Sequence, residues 1–441
     1  MIDKFSLFFA CLEQILPKKG VSMDKIRCYL NDILLCLSNA QDLISPDLSN
    51  HNQQVAYLSF RLCEQIGLPL QDKKDVFLAA LVHDIGALSH NELLTLIENE
   101  PDTSNQHAWK GAKLLEGFKP LTSIAPLVKY HHISWKNGDG LTYRGEPVPL
   151  YSHIIHLADR FCANIQFPAY NILTQLPNIL TKINAKNGSI FVPNFVEAIN
   201  QLSQKEYVWL DLISRDPIKM LSDSGLSETL TLDINDTIDF AILLSRIIDF
   251  RSRFTACHSA GVAKVAEALA QLFAFSPQEC KMMLIAGYLH DIGKLSIDNA
   301  ILEKMGPLTS DEFNQIRTHT YYTYSLLNNI KQFGVIKLWA CLHHERLDGN
   351  GYPFHLDAEN IPLGSRIMAV ADVFSALTED RPYRKGMPLD RVLQILDDMV
   401  TSEALDKTVV ALLKENLDMI NIVSRQSQQD VSVLYQDFLN L

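Results

Sequence analysis

The 441-residue chain holds eight cysteines and no C-x-x-C pair. Cys11, Cys28, Cys36, Cys63, Cys162, Cys257, Cys280 and Cys341 are scattered. That spacing argues against a disulfide framework and suits reduced, buried thiols in a cytoplasm. No apolar run approaches the ~18 residues that a membrane helix needs, so no membrane span is expected. Positive charge is in deficit. The formal net charge is -12, which argues against a binder of nucleic-acid polymers. It leaves room for a small anionic ligand held by a local cation cluster. Runs of alternating polar and apolar residues, the mark of half-buried strands, are scarce as well.

Helical periodicity fills the space that strands leave. "DVFLAALVHDIGAL", "GVAKVAEALAQLFAF", "CKMMLIAGYLHDIG", "RIMAVADVFSALTED" and "RVLQILDDMV" place apolar residues at i, i+3, i+4 and i+7. The expected fold class is all-α. Residues 1–16, "MIDKFSLFFACLEQIL", read as an amphipathic helix packed on a domain and not as a signal peptide. Hydrophobic residues make up 47% of the chain, and its length favours two cores. The polar stretch 222–237, "SDSGLSETLTLDINDT", is the candidate linker. It divides the chain into expected domains at 1–222 and 223–441.

An internal repeat is the strongest signal. His258 lies 207 residues after His51, and His290-Asp291 lies 207 after His83-Asp84. His319 follows His107 by 212, as His343-His344 follows His131-His132, and Asp372 follows Asp159 by 213. These pairs take ten of the fourteen histidines. The reading is two copies of one helical domain, each with a set of candidate metal ligands.

In the second copy, five imidazoles and two carboxylates come from several helices. Such a donor set suits Fe, Mn, Co, Ni or Zn better than Ca or Mg. Seven ligands exceed one closed site and suit two metals bridged by a carboxylate and water. A metal pair of this kind activates water and neutralises a phosphoryl group, so hydrolysis of a phosphate ester is expected. Lys294, three residues after Asp291, is a candidate to hold a phosphate oxygen or offset developing charge; a solvated lysine at a helix end is its plainer alternative. Gly349, Gly351 and Pro353 suit a tight turn with a rigid exit.

Residues from about 235 to 420 resemble an HD-GYP domain, a branch of the HD phosphohydrolase superfamily. The resemblance rests on "HDIGK" (290–294), "HHERLDGNGYP" (343–353) and "AVADVFSALTEDRPYRKGMP" (369–388). It implies two tandem HD-type domains and phosphodiesterase action on a cyclic dinucleotide, either cyclic di-GMP or 3′3′-cyclic GMP-AMP. The product would be a linear dinucleotide, with a second cleavage to mononucleotides left open. It assigns one metal to His258, His290 and Asp372 and the other to His319, His343 and His344, with Asp291 bridging. Iron or manganese is the metal implied. A glutamate used by some members for a third metal is replaced by Phe254, so two metals are expected. Arg381 and Arg384 would grip substrate phosphates, with structural salt bridging as their alternative. A hydrolase of another nucleotide and a non-hydrolysing sensor are the rival functions. A homodimer and pairing of the two domains within one chain both remain open.

The first copy keeps His51, His83, Asp84, His107, His131, His132 and Asp159. It has Ala87 at the place of Lys294, and neither a GYP loop nor a "DRPYR" segment. It is expected to be a regulatory or structural domain that retains the capacity for a metal.

Overall fold

The computed structural model describes residues 30–44, 50–99, 105–166, 169–221, 224, 226, 232–251, 257–380 and 385–439. The expected helix at 1–16, much of the expected linker, Phe254, Arg381 and Arg384 lie outside the described residues. The chain divides into two compact units, one containing 33–229 and the other 230–436. The sequence reading set the division at 222/223.

Both units are helical, and the fold is all-α. Among the described residues, the named strands are the two-residue pair Thr142–Tyr143 and Glu146–Pro147. They flank Arg144 and Gly145, both at positive φ, which is the turn geometry a tight hairpin requires. No helix is long and apolar enough to cross a membrane among the described residues.

In the first unit the helix His51–Gln65 packs on Leu70–Leu81 and Ser152–Cys162, and Asn105–Glu116 packs on Ala125–Lys129. In the second, His258–Leu272 packs on Pro277–Leu289 and Leu363–Thr378. Pro277–Leu289 also packs on Ile234–Asp249 and Gly334–Cys341. Local sequence explains where these helices begin. Ser276 and Glu279 form a reciprocal capping box with Pro277 in the first turn, and Asp233 with Asp236 forms another. Each arrangement satisfies backbone donors that a helix start leaves unpaired.

Small residues set one close helix contact of the second unit. A Cβ on Gly287 would lie 2.4 Å from Ala263 Cα, so only glycine lets these two backbones meet. That contact brings His258 and His290, at the neighbouring ends of their helices, to a ring separation of 5.5 Å. The periodic run 75–88 is helical only to Leu81. His83 and Asp84 lie in the turns beyond it, because the ligand pair terminates the helix rather than riding on it.

Candidate metal centre

Three of the histidine candidates, His290, His319 and His343, stand just past helix C-termini, where carbonyls lack intrahelical partners. His290 Nδ1 lies 2.7 Å from Gly287 O, His319 Nδ1 2.6 Å from Ile316 O, and His343 Nδ1 2.7 Å from Ala340 O. In each case the ring stands three residues past the carbonyl. A carbonyl can only accept, so Nδ1 carries the proton and donates. With Nδ1 so engaged, the Nε2 lone pair is the one each ring can offer inward, the tautomer a metal ligand needs.

These lone pairs converge. Ligand atoms of His258, His290 and Asp372 lie within 4.8 Å of one another, as do those of His319, His343 and His344. Asp291 stands between the two groups. Its Oδ2 lies 3.2 Å from His290 Nε2 and 3.8 Å from His258 Nε2. Its Oδ1 lies 3.4 Å from His319 Nε2 and 3.9 Å from His343 Nε2. One carboxylate thus turns an oxygen to each histidine group. His290 Nε2 and Asp291 Oδ1 are buried without a hydrogen-bond partner. Buried orphans of this kind cost stability unless a cation satisfies them. The residues present therefore fit a metal pair.

The electrostatics agree. Burial pushes the Asp291 carboxyl up, but His290, Lys294 and His319 outweigh it and hold it well below the usual carboxylate range. Burial drives His319 down to about 3 against the pull of Asp291, and burial with His344 and His290 lowers His343 strongly. These rings are neutral donors. His258 differs. Burial lowers its pKa, but Asp372 and Glu379 raise it to about 10.

Glycine and threonine set the spacing. A Cβ on Gly293 would fall 1.9 Å from His319 O, so the bare α-carbon admits the helix His319–Leu327 against the His-Asp turn. Thr323 Oγ1 accepts from Gly293 N at 3.0 Å and donates to His290 O at 2.9 Å. Beyond the histidines, Glu345 accepts from Phe354 N at 2.7 Å and Leu356 N at 2.9 Å. It pins the glycine loop, where Gly349 has φ +75, so that the Tyr352 ring lies 5.0 Å from His344.

Three of these partners escaped the sequence reading. Glu379 Oε2 lies 3.3 Å from His258 Nδ1 across 121 positions of chain; its only sequence signal is its place beside "DRPYR". Glu345 directly follows the histidine pair, and Thr323 lies four residues after His319. Lys294 is not extended toward open space. It donates to Asp291 Oδ2, in a short 3₁₀ segment, Ile292–Ser296, rather than on an α-helical turn.

The first unit repeats this geometry. His51 Nε2–Asp159 Oδ1 and His258 Nε2–Asp372 Oδ1 are both 3.1 Å. His83 Nε2–Asp84 Oδ2 and His290 Nε2–Asp291 Oδ2 are both 3.2 Å. His83 and His131 also donate Nδ1 to carbonyls three residues back, Ala80 and Val128, at 2.7 Å each. All seven candidate ligands of the first unit are buried.

Comparison with known proteins follows the same division. The HD domain family matches residues 242–409 and again residues 48–164. The chain is 31% identical over 396 residues to 3′3′-cGAMP-specific phosphodiesterase 1 of Vibrio cholerae serotype O1, covering 88% of this chain and 91% of that one. It is 41% identical over 157 residues to the cyclic di-GMP phosphodiesterase response regulator RpfG of Xanthomonas campestris, covering 35% and 41%. A solved cyclic GMP-AMP-specific phosphodiesterase of Vibrio cholerae aligns at a TM-score of 0.61 and 24% identity, covering 89% of this chain and 98% of that one, and shares its fold. HD domains are metal-dependent, and both units present histidine–aspartate clusters suited to metal. HD-domain matches in both units, together with a 31%-identical relative of nearly the same extent, place this chain in the HD-domain family, in its HD-GYP branch.

Proposed function

We propose that the second unit hydrolyses a cyclic dinucleotide, with 3′3′-cyclic GMP-AMP as the preferred substrate. The observation that carries the activity is Asp291, with one oxygen toward His258 and His290 and the other toward His319 and His343. The choice of substrate is supported by the relative named for 3′3′-cGAMP, which parallels 88% of the chain. Relatives named for cyclic di-GMP parallel shorter stretches, 35% and 43% of the chain in two cases.

His258, His290 and Asp372 would hold one metal, and His319, His343 and His344 the other, with Asp291 shared. The mixed imidazole–carboxylate set suits Fe or Mn. When bound, the metals supply Lewis acidity toward the phosphoryl oxygens and make water acidic enough to attack at neutral pH. The chain's own groups do the rest. Each backbone-anchored imidazole holds its lone pair in place. Lys294 offsets charge on Asp291, and Tyr352 shapes the mouth beside half-buried His344. Arg381 and Arg384 grip phosphates in this reading. Attack of water on phosphorus breaks one P–O ester bond and opens the ring to a linear dinucleotide. The six described cysteines are free, which suits a reducing compartment, the cytoplasm.

The test mixes purified chain and Mn²⁺ or Fe²⁺ with 3′3′-cyclic GMP-AMP or cyclic di-GMP in parallel, and follows products by chromatography. A linear product, formed faster from the former, is expected. Binding without turnover would support a sensor instead. Turnover restricted to other nucleotides would support a different HD hydrolase.

A further inference from the structure

We infer that the first unit holds a single divalent metal at Asp84, His107, His131 and His132, and that Arg160 closes the neighbouring position to a second. The four donors lie within 4.8 Å of one another and all four residues are buried. His131 gives its Nδ1 proton to Val128 O, so its Nε2 lone pair faces the cluster, buried without a hydrogen-bond partner. His107 Nε2 lies 3.2 Å from Asp84 Oδ1. Three imidazoles and one carboxylate complete a four-coordinate shell from protein alone, which is how a structural zinc-class site is built. In the second unit His344, the counterpart of His132, is half-buried and leaves that end accessible.

The other end of the cluster differs by charge. Asp159 Oδ2 accepts from Arg160 Nε at 3.1 Å and Nη2 at 2.9 Å. This fixed guanidinium stands on Asp159 beside the position where His51, His83 and Asp84 bring donor atoms within 4.8 Å of one another. Like charges at that distance in a buried site repel strongly. The second unit has uncharged Val373 at the matching position, 213 residues on. It also sets Glu379 behind His258, whereas Gln166, 213 positions earlier in the sequence, is exposed. Around the first histidine the second unit gathers Asp372 and Glu379, with Asp291 and Asp249 close by. The first unit sets Asp159 and Asp42 near His51, with the Arg160 guanidinium on Asp159. The cation has also changed carboxylates. Lys294 sits on the shared Asp291, while Ala87 leaves Asp84 without that lysine and Arg160 sits on Asp159.

The test uses the full-length chain with the second unit's ligands broken, H290A/D291A/H343A. It is stripped with chelator, equilibrated with Zn²⁺, freed of excess and assayed for metal by mass spectrometry, with folding checked by circular dichroism. One equivalent per chain is expected, falling to none when H107A is added and rising to two when R160Q is added instead. With Co²⁺ as probe, the single site should show the intense visible bands of tetrahedral coordination. None or two equivalents in the starting variant, or one retained with H107A, overturns the inference. Should the triple variant fail to fold, the parent chain decides. Three equivalents uphold the inference, and two or four overturn it.

Discussion

The Nε2 atoms of His319 and His343 lie 3.3 Å apart. Each ring has its proton on Nδ1, held by a backbone carbonyl, so two lone pairs face each other. A shared cation relieves that repulsion. Removing metal with chelator should therefore lower the thermal unfolding midpoint, and restoring Mn²⁺ should recover it. At a free metal concentration 100-fold above Kd, the stabilisation is about 2.7 kcal/mol. A midpoint indifferent to chelator would contradict the metal centre.

His290→Ala and Asp291→Ala should each remove hydrolysis by several orders of magnitude, since metal activation of water supplies much of the rate. Product formation is measured alongside metal content. Near-normal turnover by a metal-replete Asp291→Ala chain would sink the shared-carboxylate arrangement.

Gly293→Ala should act through geometry alone. The new methyl meets His319 O at 1.9 Å, so the helix His319–Leu327 must shift. Overpacking of this kind costs about 1–3 kcal/mol. Loss of metal from the His319 group should exceed loss of fold, as read by metal content against unfolding midpoint. Unchanged activity would show that the close approach is dispensable.

Glu379→Gln removes the carboxylate that faces His258 Nδ1. Partners of this kind orient a ligand and raise its basicity, and their loss costs about 10–100-fold in metal affinity. A competitive metal titration reads the effect. Equal affinity in both chains would assign Glu379 to packing only.

Arg381→Ala and Arg384→Ala should weaken substrate binding by about 1.5–3 kcal/mol each, the size of a lost charge-assisted hydrogen bond. Metal content should stay constant. Binding equal to the parent would return these arginines to a structural role.

The duplicated helical domain was legible because histidine and aspartate recur in order at nearly constant offsets, and because helical periodicity is a local property. The grouping of His258 with His290 and Asp372 needed the family resemblance, since nothing local says which helices meet. Glu379 was hidden for the same reason. Its partner lies 121 residues away, and one glutamate in a charged segment carries no spacing signal. Arg160 offered a readable cue, an arginine where the other copy has Val373, but its meaning depends on which oxygen of Asp159 it occupies. The 142–147 hairpin is two residues per strand, too short for an alternating pattern to register.

The histidine rings that hold the carbonyls of Gly287, Ile316 and Ala340 give the site a dynamic property. Helix termini fray first, and local opening has its own free energy, smaller than that of the whole domain. Here a frayed terminus and a released ligand are one event, because the same imidazole closes the helix end and faces the cluster. Metal occupancy and helix-end opening thereby share one equilibrium. Amide hydrogen exchange around 287–290 and 340–343 should slow as the site fills, so exchange protection becomes a readout of occupancy.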